Sequence, residues 1–161
     1  MNQENKYFLF TLLLFGISAI VIQSLLMPLI EINLWQPDLV LVIVLLIGKR
    51  FDSIKGSTAG FVLGIMQDSL SPLPIGITAL PKAIAGFAAG KTKVMRLEGA
   101  MYYVWFVLLI FIHEMITYLF LQYKTDLTFT YMLYSRVFPN TVYTTLMLFI
   151  INLFSGKYFT E

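Results

Sequence analysis

Residues 56–68 read G-S-T-A-G-F-V-L-G-I-M-Q-D and say most about how the chain folds. Gly56, Gly60, Gly64 and Asp68 follow one another at intervals of four residues, so on a helix they form one nearly straight stripe. Within a membrane, glycine allows a second helix to approach closely, which is the basis of small-xxx-small packing. The stripe therefore predicts close helix packing, either within the protein's own bundle or against a helix of another protein.

The composition around this stripe is that of an integral membrane protein. Of the 161 residues, 58% are hydrophobic and only 12% are charged, and the mean hydropathy is +0.81. Soluble domains average nearer 45–50% apolar and about 25% charged residues. The formal charge of +2 gives no electrostatic basis for nucleic-acid binding. The absence of cysteine excludes disulfides and thiolate metal sites.

The apolar runs predict an all-α bundle of six transmembrane helices in a single membrane domain. Pro37 and Asp38 are residue types that open helices, so we place the start of the second helix there. The first run is too long for a signal peptide and has no small-x-small cleavage site, so we expect it to be retained. We expect Pro81 to kink the fourth helix or free a carbonyl, and Pro139 to interrupt the sixth. The predicted helices cover about 7–30, 38–48, 54–70, 75–90, 99–122 and 131–154.

The distribution of lysine and arginine predicts the orientation of this bundle. One set of alternating loops and tails holds eight cations, and the other set holds only Lys124. By the positive-inside rule, both termini are expected in the cytoplasm. The eight are Lys6, Lys49, Arg50, Lys55, Lys91, Lys93, Arg96 and Lys157.

The fourth predicted helix is also rich in small residues, among them Gly86 and Gly90. Together with the third helix it predicts a hairpin built for close contact, or a face that meets a partner. We therefore treat both glycines, with the stripe of the third helix, as candidates for the packing or partner interface.

Five ionisable residues fall within the predicted spans: Asp68, Lys82, His113, Glu114 and Arg136. Charges at such depth are costly and usually face a protein interior or a watery cavity. From the ~1.5 Å rise per residue, all the charged members are expected in the outer half of the bilayer. Two acids and two bases indicate a paired network that joins helices three to six. A polar pocket open to the outside, for a small ligand or a partner's membrane segment, is the alternative.

No enzymatic site can be assembled from these residues. There is no nucleophile with a matching base and no phosphate-binding loop. With a single histidine a multi-histidine metal site is impossible, and we predict no metal, no cofactor and no catalytic residue. His113 beside Glu114 is more typical of hydrogen bonding than of a proton relay.

The order of several short motifs resembles the bacterial MreD family of rod-shape-determining proteins. That family typically has a Pro-Asp helix start, a Gly-Phe-x-x-Gly-x-x-x-Asp segment, and then a small-residue segment with Gly-x-x-x-Leu. The resemblance covers about residues 37–91. The matching positions are Pro37, Asp38, Gly60, Phe61, Gly64, Asp68, Gly76 and Leu80.

This resemblance implies a non-enzymatic inner-membrane scaffold of the cell-wall elongation machinery. Its expected partner is the membrane helix of MreC, and through MreC the cytoplasmic MreB filament and the RodA glycan polymerase with its transpeptidase. Membrane lipids would surround it, and a homo-dimer is left open. In this interpretation Gly56, Gly60 and Gly64 provide close packing, and Asp68 fixes its outer end through Lys82 or Arg136.

Two other functions are also compatible with the sequence. The substrate-binding subunit of an energy-coupling-factor vitamin transporter is also a small six-helix bundle, and an outer polar cluster would suit a vitamin. Its Ala-x-x-x-Ala feature is matched poorly by Gly16-Ile17-Ser18-Ala19. A small channel or proton-coupled carrier based on His113 and Glu114 has less support.

Overall fold

The computed structural model describes residues 3–33, 35–72, 74–96, 99–122 and 128–159, with the backbone alone for residues 99 and 155–159. These residues are almost entirely helical. Lys124 lies outside the described residues, as does the side chain of Lys157. The helices are α1 (Gln3–Leu25, with a π-helical turn at Leu12–Gly16), α2 (Leu39–Arg50), α3 (Ser53–Ser69), α4 (Ala79–Gly90), α5 (Thr92–Met95), α6 (Gly99–Gln122) and α7 (Phe129–Met132, a π-helical turn at Leu133–Val137, then Phe138–Phe159).

Helix α2 is the centre of the bundle. Its residues from Leu39 to Gly48 are all buried, and most of the apolar ones have no exposed surface. A helix that is hydrophobic on all sides is expected in the interior of a protein. Helices α1, α3, α4, α6 and α7 all pack against it or its immediate neighbours.

Helices α3 and α4 form an antiparallel hairpin with a glycine seam. A Cβ added at Gly56 would overlap the backbone of Gly86, and one at Gly60 would overlap the backbone of Lys82. At Gly64 it would overlap Ala79, and at Gly90 it would overlap Ser53. The two helices are therefore in backbone contact along the whole hairpin. Only glycine at the positions named permits so close an approach.

The turn between these helices explains why α4 is shorter than predicted. It begins at Ala79 and not at Ile75, because Gly76 adopts a φ of +105° that no continuing helix contains. Consequently Pro81 lies in the first helical turn, where a missing N–H is tolerated.

Helix α7 runs without a break through Pro139, where the sequence predicted an interruption. The π-helical turn Leu133–Val137 lies just before it. Pro139 has no N–H for the carbonyl of Ser135, and that oxygen instead accepts a hydrogen bond of 2.7 Å from the Trp35 indole. The connector that holds Trp35 is thereby fixed to α7.

Three helical stretches among the described residues are long and apolar enough to cross a membrane: Gln3–Leu25, Ala100–Gln122 and Phe129–Phe154. Helices α2 and α4 have 12 residues each and α3 has 17. At ~1.5 Å per residue these are roughly 18–26 Å long, short of a ~30 Å hydrocarbon core. Six complete spans therefore remain a prediction.

Candidate functional site

A polar cluster lies at the end of the bundle where α2 begins. Asp38 caps α2, and its Oδ1 accepts a hydrogen bond of 2.8 Å from the Leu41 amide. The Asp38 amide donates to Thr144 Oγ1 at 3.0 Å. Gln23 of α1 holds the same segment, because its Nε2 donates to the Pro37 carbonyl and its Oε1 accepts from the Leu39 amide. Three helices thus fix the position of one carboxylate.

Lys82 of α4 pairs with this carboxylate. Its Nζ lies 2.5 Å from Asp38 Oδ2, and the lysine has no exposed surface. Lys82 is among the largest fully buried side chains described. An ammonium buried to this degree requires a counter-charge, so the pair fixes α4 against the start of α2.

Helices α6 and α7 contribute a second group of polar side chains. Asn140 Nδ2 donates to Tyr118 Oη at 2.9 Å and lies 3.5 Å from Glu114 Oε2. Asn140 Oδ1 accepts from the Gln36 amide at 3.3 Å. Glu114 and Asn140 are both buried. This network joins α6 and α7 to the connector before α2.

Within the described part of the chain, neither ring nitrogen of His113 has a hydrogen-bond partner, although the residue is only 3% exposed. Its Nδ1 lies 3.5 Å from Glu114 Oε1, in a geometry that forms no hydrogen bond. The hydroxyl of Thr117, one helical turn further on, is also buried without a partner. Buried polar atoms normally have partners, so these are notable exceptions.

These groups surround an open cavity of about 210 Å³. Ligand atoms from Asp38, His113 and Glu114 lie within 4.8 Å of one another. The cavity is therefore a polar space at one end of an otherwise apolar bundle. It is lined by Gln23, Gln36, Pro37, Asp38, Gln67, Thr78, His113, Glu114, Thr117, Tyr118, Leu121 and Asn140.

Asp68 has a different role from the one expected. Its carboxylate accepts hydrogen bonds from the Gly76 amide at 2.7 Å and from the Thr78 hydroxyl at 2.6 Å. It also faces the Thr78 and Ala79 amides, so it caps the N-terminus of α4. The expected Asp68–Lys82 pair does not form, because Lys82 points towards Asp38.

The predicted residues therefore separate into three groups. The glycines Gly56, Gly60, Gly64, Gly86 and Gly90 lie in the α3–α4 seam, inside the bundle. Lys82, His113 and Glu114 come together around the cavity or its carboxylates. Arg136 lies in the π-helical turn of α7, outside the cavity lining.

Several residues of the cluster were not predicted from the sequence. Asp38 was assigned only to a helix start, and Gln23 and Asn140 were not singled out. Gln23 could have been found as a lone amide near the end of the first apolar run, and Asn140 as the residue after Pro139. Polar residues inside an apolar span are candidates for such contacts.

A comparison with protein families bears directly on this architecture. The family model described as rod shape-determining protein MreD matches residues 3–158. The chain belongs to the MreD family. None of the curated proteins and none of the solved structures in the comparison matches it.

Membership in the MreD family assigns the chain a role in rod-shape determination. Together with the three long apolar helices, it identifies a membrane protein. The family is a structural one that is not known for enzymatic activity. The resemblance noted in the sequence is thereby confirmed, over a longer part of the chain than the motifs themselves cover.

Proposed function

We propose that this chain is a non-enzymatic inner-membrane scaffold of the wall-elongation machinery, which docks the single membrane helix of MreC. The family match over residues 3–158 carries this proposal, because the MreD family is part of the MreB–MreC–MreD shape system. Through MreC, the scaffold would connect cytoplasmic MreB with the RodA polymerase and its transpeptidase. The match favours this function over a vitamin-transporter subunit.

The proposed orientation, with both termini in the cytoplasm, agrees with the position of the cations. Lys93 of α5 donates to the Arg50 carbonyl at 2.5 Å, so the loops after α2 and α4 meet. Lys55 Nζ bonds to Glu4 at 2.5 Å, which brings the start of α1 to the same end. This end would face the cytoplasm by the positive-inside rule, and the polar cavity would face outward.

The glycine seam is covered by the protein's own helix, so the MreC helix needs another surface. A cleft of about 340 Å³ lies between α1 and α7, with α2 as its floor. Among the apolar residues of α2, only Leu39 and Ile43 retain any exposed surface, at 8% and 6%, and both line this cleft. The ring of helices around α2 is therefore least complete here.

The walls of the cleft suit an apolar helix. Ala19 and Ser18 of α1 offer small side chains, and Ser18 Oγ already bonds to its own helix at the Leu14 carbonyl. Met147 and Ile151 of α7 form the opposite wall. Small residues on one side and flexible or branched apolar residues on the other favour van der Waals packing of a transmembrane helix.

Cross-linking tests the docking site, since the chain has no cysteine of its own. We expect Ser18→Cys and Met147→Cys to form disulfides with cysteines placed along the MreC helix, recurring every three to four positions. Val104→Cys on α6, which is 60% exposed, is the matched control and should remain unlinked. Efficient cross-linking from Val104→Cys, with none from the cleft, would place the partner on another face.

A blocking variant tests the same site by function. Ser18→Trp should fill the cleft and reduce the MreC recovered with the tagged protein by at least about 10-fold, a loss of roughly 1.4 kcal/mol. Val104→Trp should leave recovery unchanged. Recovery of ATPase subunits with a transmission subunit, in place of MreC, would overturn the scaffold proposal itself.

A further inference from the structure

We propose that Asp38, His113 and Glu114 bind a divalent transition-metal cation in the outer cavity. No ligand set of this kind was predicted from the sequence, because the three residues lie 75 or more positions apart or side by side on one helix. The fold brings one nitrogen and two carboxylate oxygens within 4.8 Å of one another. This proposal does not depend on the docking of MreC.

The state of His113 points to a ligand. Its side chain is only 3% exposed, yet neither ring nitrogen has a hydrogen-bond partner among the residues that the structure describes. An orphaned imidazole that faces two carboxylates is a costly arrangement without a cation, since each unpaired polar atom loses its hydration. Neutral imidazole nitrogen is a common ligand of first-row transition metals.

The charges around the cavity favour the binding of a cation. The cavity lining contains two carboxylates, Asp38 and Glu114, and no lysine or arginine. Lys82 compensates Asp38 from outside the lining, at 2.5 Å. Glu114 Oε2 lies 3.5 Å from Asn140 Nδ2, and Glu114 Oε1 lies 3.5 Å from the unaligned His113 Nδ1. A cation between Glu114, His113 and Asp38 would therefore neutralise a buried charge.

The available space also fits a metal centre. Ligand atoms of one tetrahedral zinc ion lie roughly 3.4 Å apart, given bonds of about 2.0–2.1 Å. The present separations of up to 4.8 Å would have to shorten by at most roughly 1.4 Å to reach this geometry. Each carboxylate oxygen has two lone pairs, so Asp38 Oδ2 can keep the Lys82 bond and still bind a metal. The 210 Å³ cavity has room for water to complete the coordination.

The donor set selects the class of metal. One imidazole with two carboxylates suits Zn²⁺ and its neighbours in the first transition row. Mg²⁺ and Ca²⁺ prefer an all-oxygen set, to which His113 contributes nothing. The ligand is thus a divalent transition metal, and Zn²⁺ and Co²⁺ are suitable probes.

The test uses full-length protein purified in mild detergent with a histidine-free tag and stripped with EDTA. We expect calorimetric titration to show one Zn²⁺ per chain. Co²⁺ should give visible absorption bands typical of four or five ligands. Because His113 is the single histidine, nuclear magnetic resonance of histidine-labelled protein should show one set of imidazole signals that shifts with Zn²⁺.

Two variants make the assignment specific. His113→Ala and Glu114→Gln should each weaken Zn²⁺ binding by more than about 100-fold, beyond the 10- to 100-fold typical of outer-shell changes. Glu4→Gln, at an exposed acid at the other end of the bundle, should bind as the parent does. Thermal unfolding without metal checks that each variant folds. If His113→Ala does not fold, the near-isosteric Glu114→Gln alone provides the test.

Three results would overturn the proposal. The first is less than about 0.2 Zn²⁺ per chain in the parent at concentrations that saturate ordinary protein sites. The second is unchanged Zn²⁺ affinity in both variants, which would mean adventitious binding at surface acids. The third is binding of Mg²⁺ or Ca²⁺ with the same affinity in the parent and in His113→Ala, which would identify an oxygen-only site.

Discussion

The glycine seam and the polar cavity are two opposite ways to hold the same helix. Along the seam, α4 meets α3 through Gly86 and Gly56, whose backbones touch. Near its start, α4 is also held by Lys82, whose long side chain reaches Asp38. The seam has no space between its helices, whereas the cavity has about 210 Å³.

This difference indicates where the molecule can tolerate change. Backbone contact depends on shape alone, so an added side chain forces the two helices apart. A charged cluster depends on balance, so losing one member is costly but losing two can be mild. We expect the seam to be the rigid part of the fold and the cavity to be the part available for binding.

The largest effect should come from filling the seam. Gly60→Leu with Gly64→Leu places two branched side chains where the backbone of α4 lies, next to Lys82 and Ala79. Overpacking costs about 1–3 kcal/mol per site and occasionally more, so we expect no folded monomer. Size-exclusion chromatography of the detergent-solubilised protein measures this.

The matched control for this variant is Thr58→Leu, which adds the same side chain to the exposed face of α3. It should leave the elution profile and the melting temperature close to those of the parent. If the double glycine variant also eluted as folded monomer with an unchanged melting temperature, the seam would not be the close contact described above.

Breaking the balance of the cavity should have the next largest effect. Lys82→Met removes the ammonium from Asp38 and leaves a buried carboxylate uncompensated, which costs about 3–5 kcal/mol. Adding Asp38→Asn removes that charge and preserves the cap of α2, since asparagine caps as well as aspartate does. The double variant should therefore be more stable than Lys82→Met alone in thermal unfolding.

The reverse ordering would contradict this account of the cavity. If the losses of Lys82→Met and Asp38→Asn simply added, the two side chains would not be coupled. The same comparison of single and double variants at Glu114 and Asn140 would show whether these two side chains are also coupled. It would thus show how far the network extends across the cavity.

The glycine stripe can be recognised in the sequence because the relevant information is local, although the stripe alone does not say which helix packs on it. Glycines at intervals of four residues mark one side of a helix, and the hairpin follows from two such helices in succession. The all-helical class came from the long apolar runs, although the first helix covers Gln3–Leu25 and not the predicted 7–30. The shorter α4 was missed because the positive φ of Gly76 is set by contacts to Asp68 eight residues earlier.

The cavity was predicted only in part, because its members come from distant parts of the chain. Depth along each helix predicts that Asp68, Lys82, Glu114 and Arg136 lie in the same half of the bilayer, but depth does not determine rotation about the axis. Lys82 is therefore expected, with Arg136 as the alternative, to pair with Asp68, although α4 presents Lys82 to Asp38 at the start of α2. Pairing across a bundle depends on helix packing angles, which a single sequence does not contain.

The smallest of these effects should come from Asp68, where the two regions meet. Its carboxylate ends the glycine stripe, caps α4, and bonds to Thr78 of the cavity lining. Asp52 caps α3 in a similar way, through the Lys55 amide at 2.8 Å, but its side chain is 46% exposed. The two residues allow the same substitution to be compared in a buried and an exposed cap.

We expect Asp68→Ala to cost about 2–3 kcal/mol, because buried amides and a hydroxyl lose a charged acceptor. Asp52→Ala should cost about 1 kcal/mol, the usual value for an exposed cap that water can replace. Hydrogen exchange adds a local measurement, in which the amides of Gly76, Thr78 and Ala79 should lose protection only in Asp68→Ala. Equal costs for the two variants, with protection retained at these amides, would mean that Gly76 and the seam hold the start of α4 without the carboxylate.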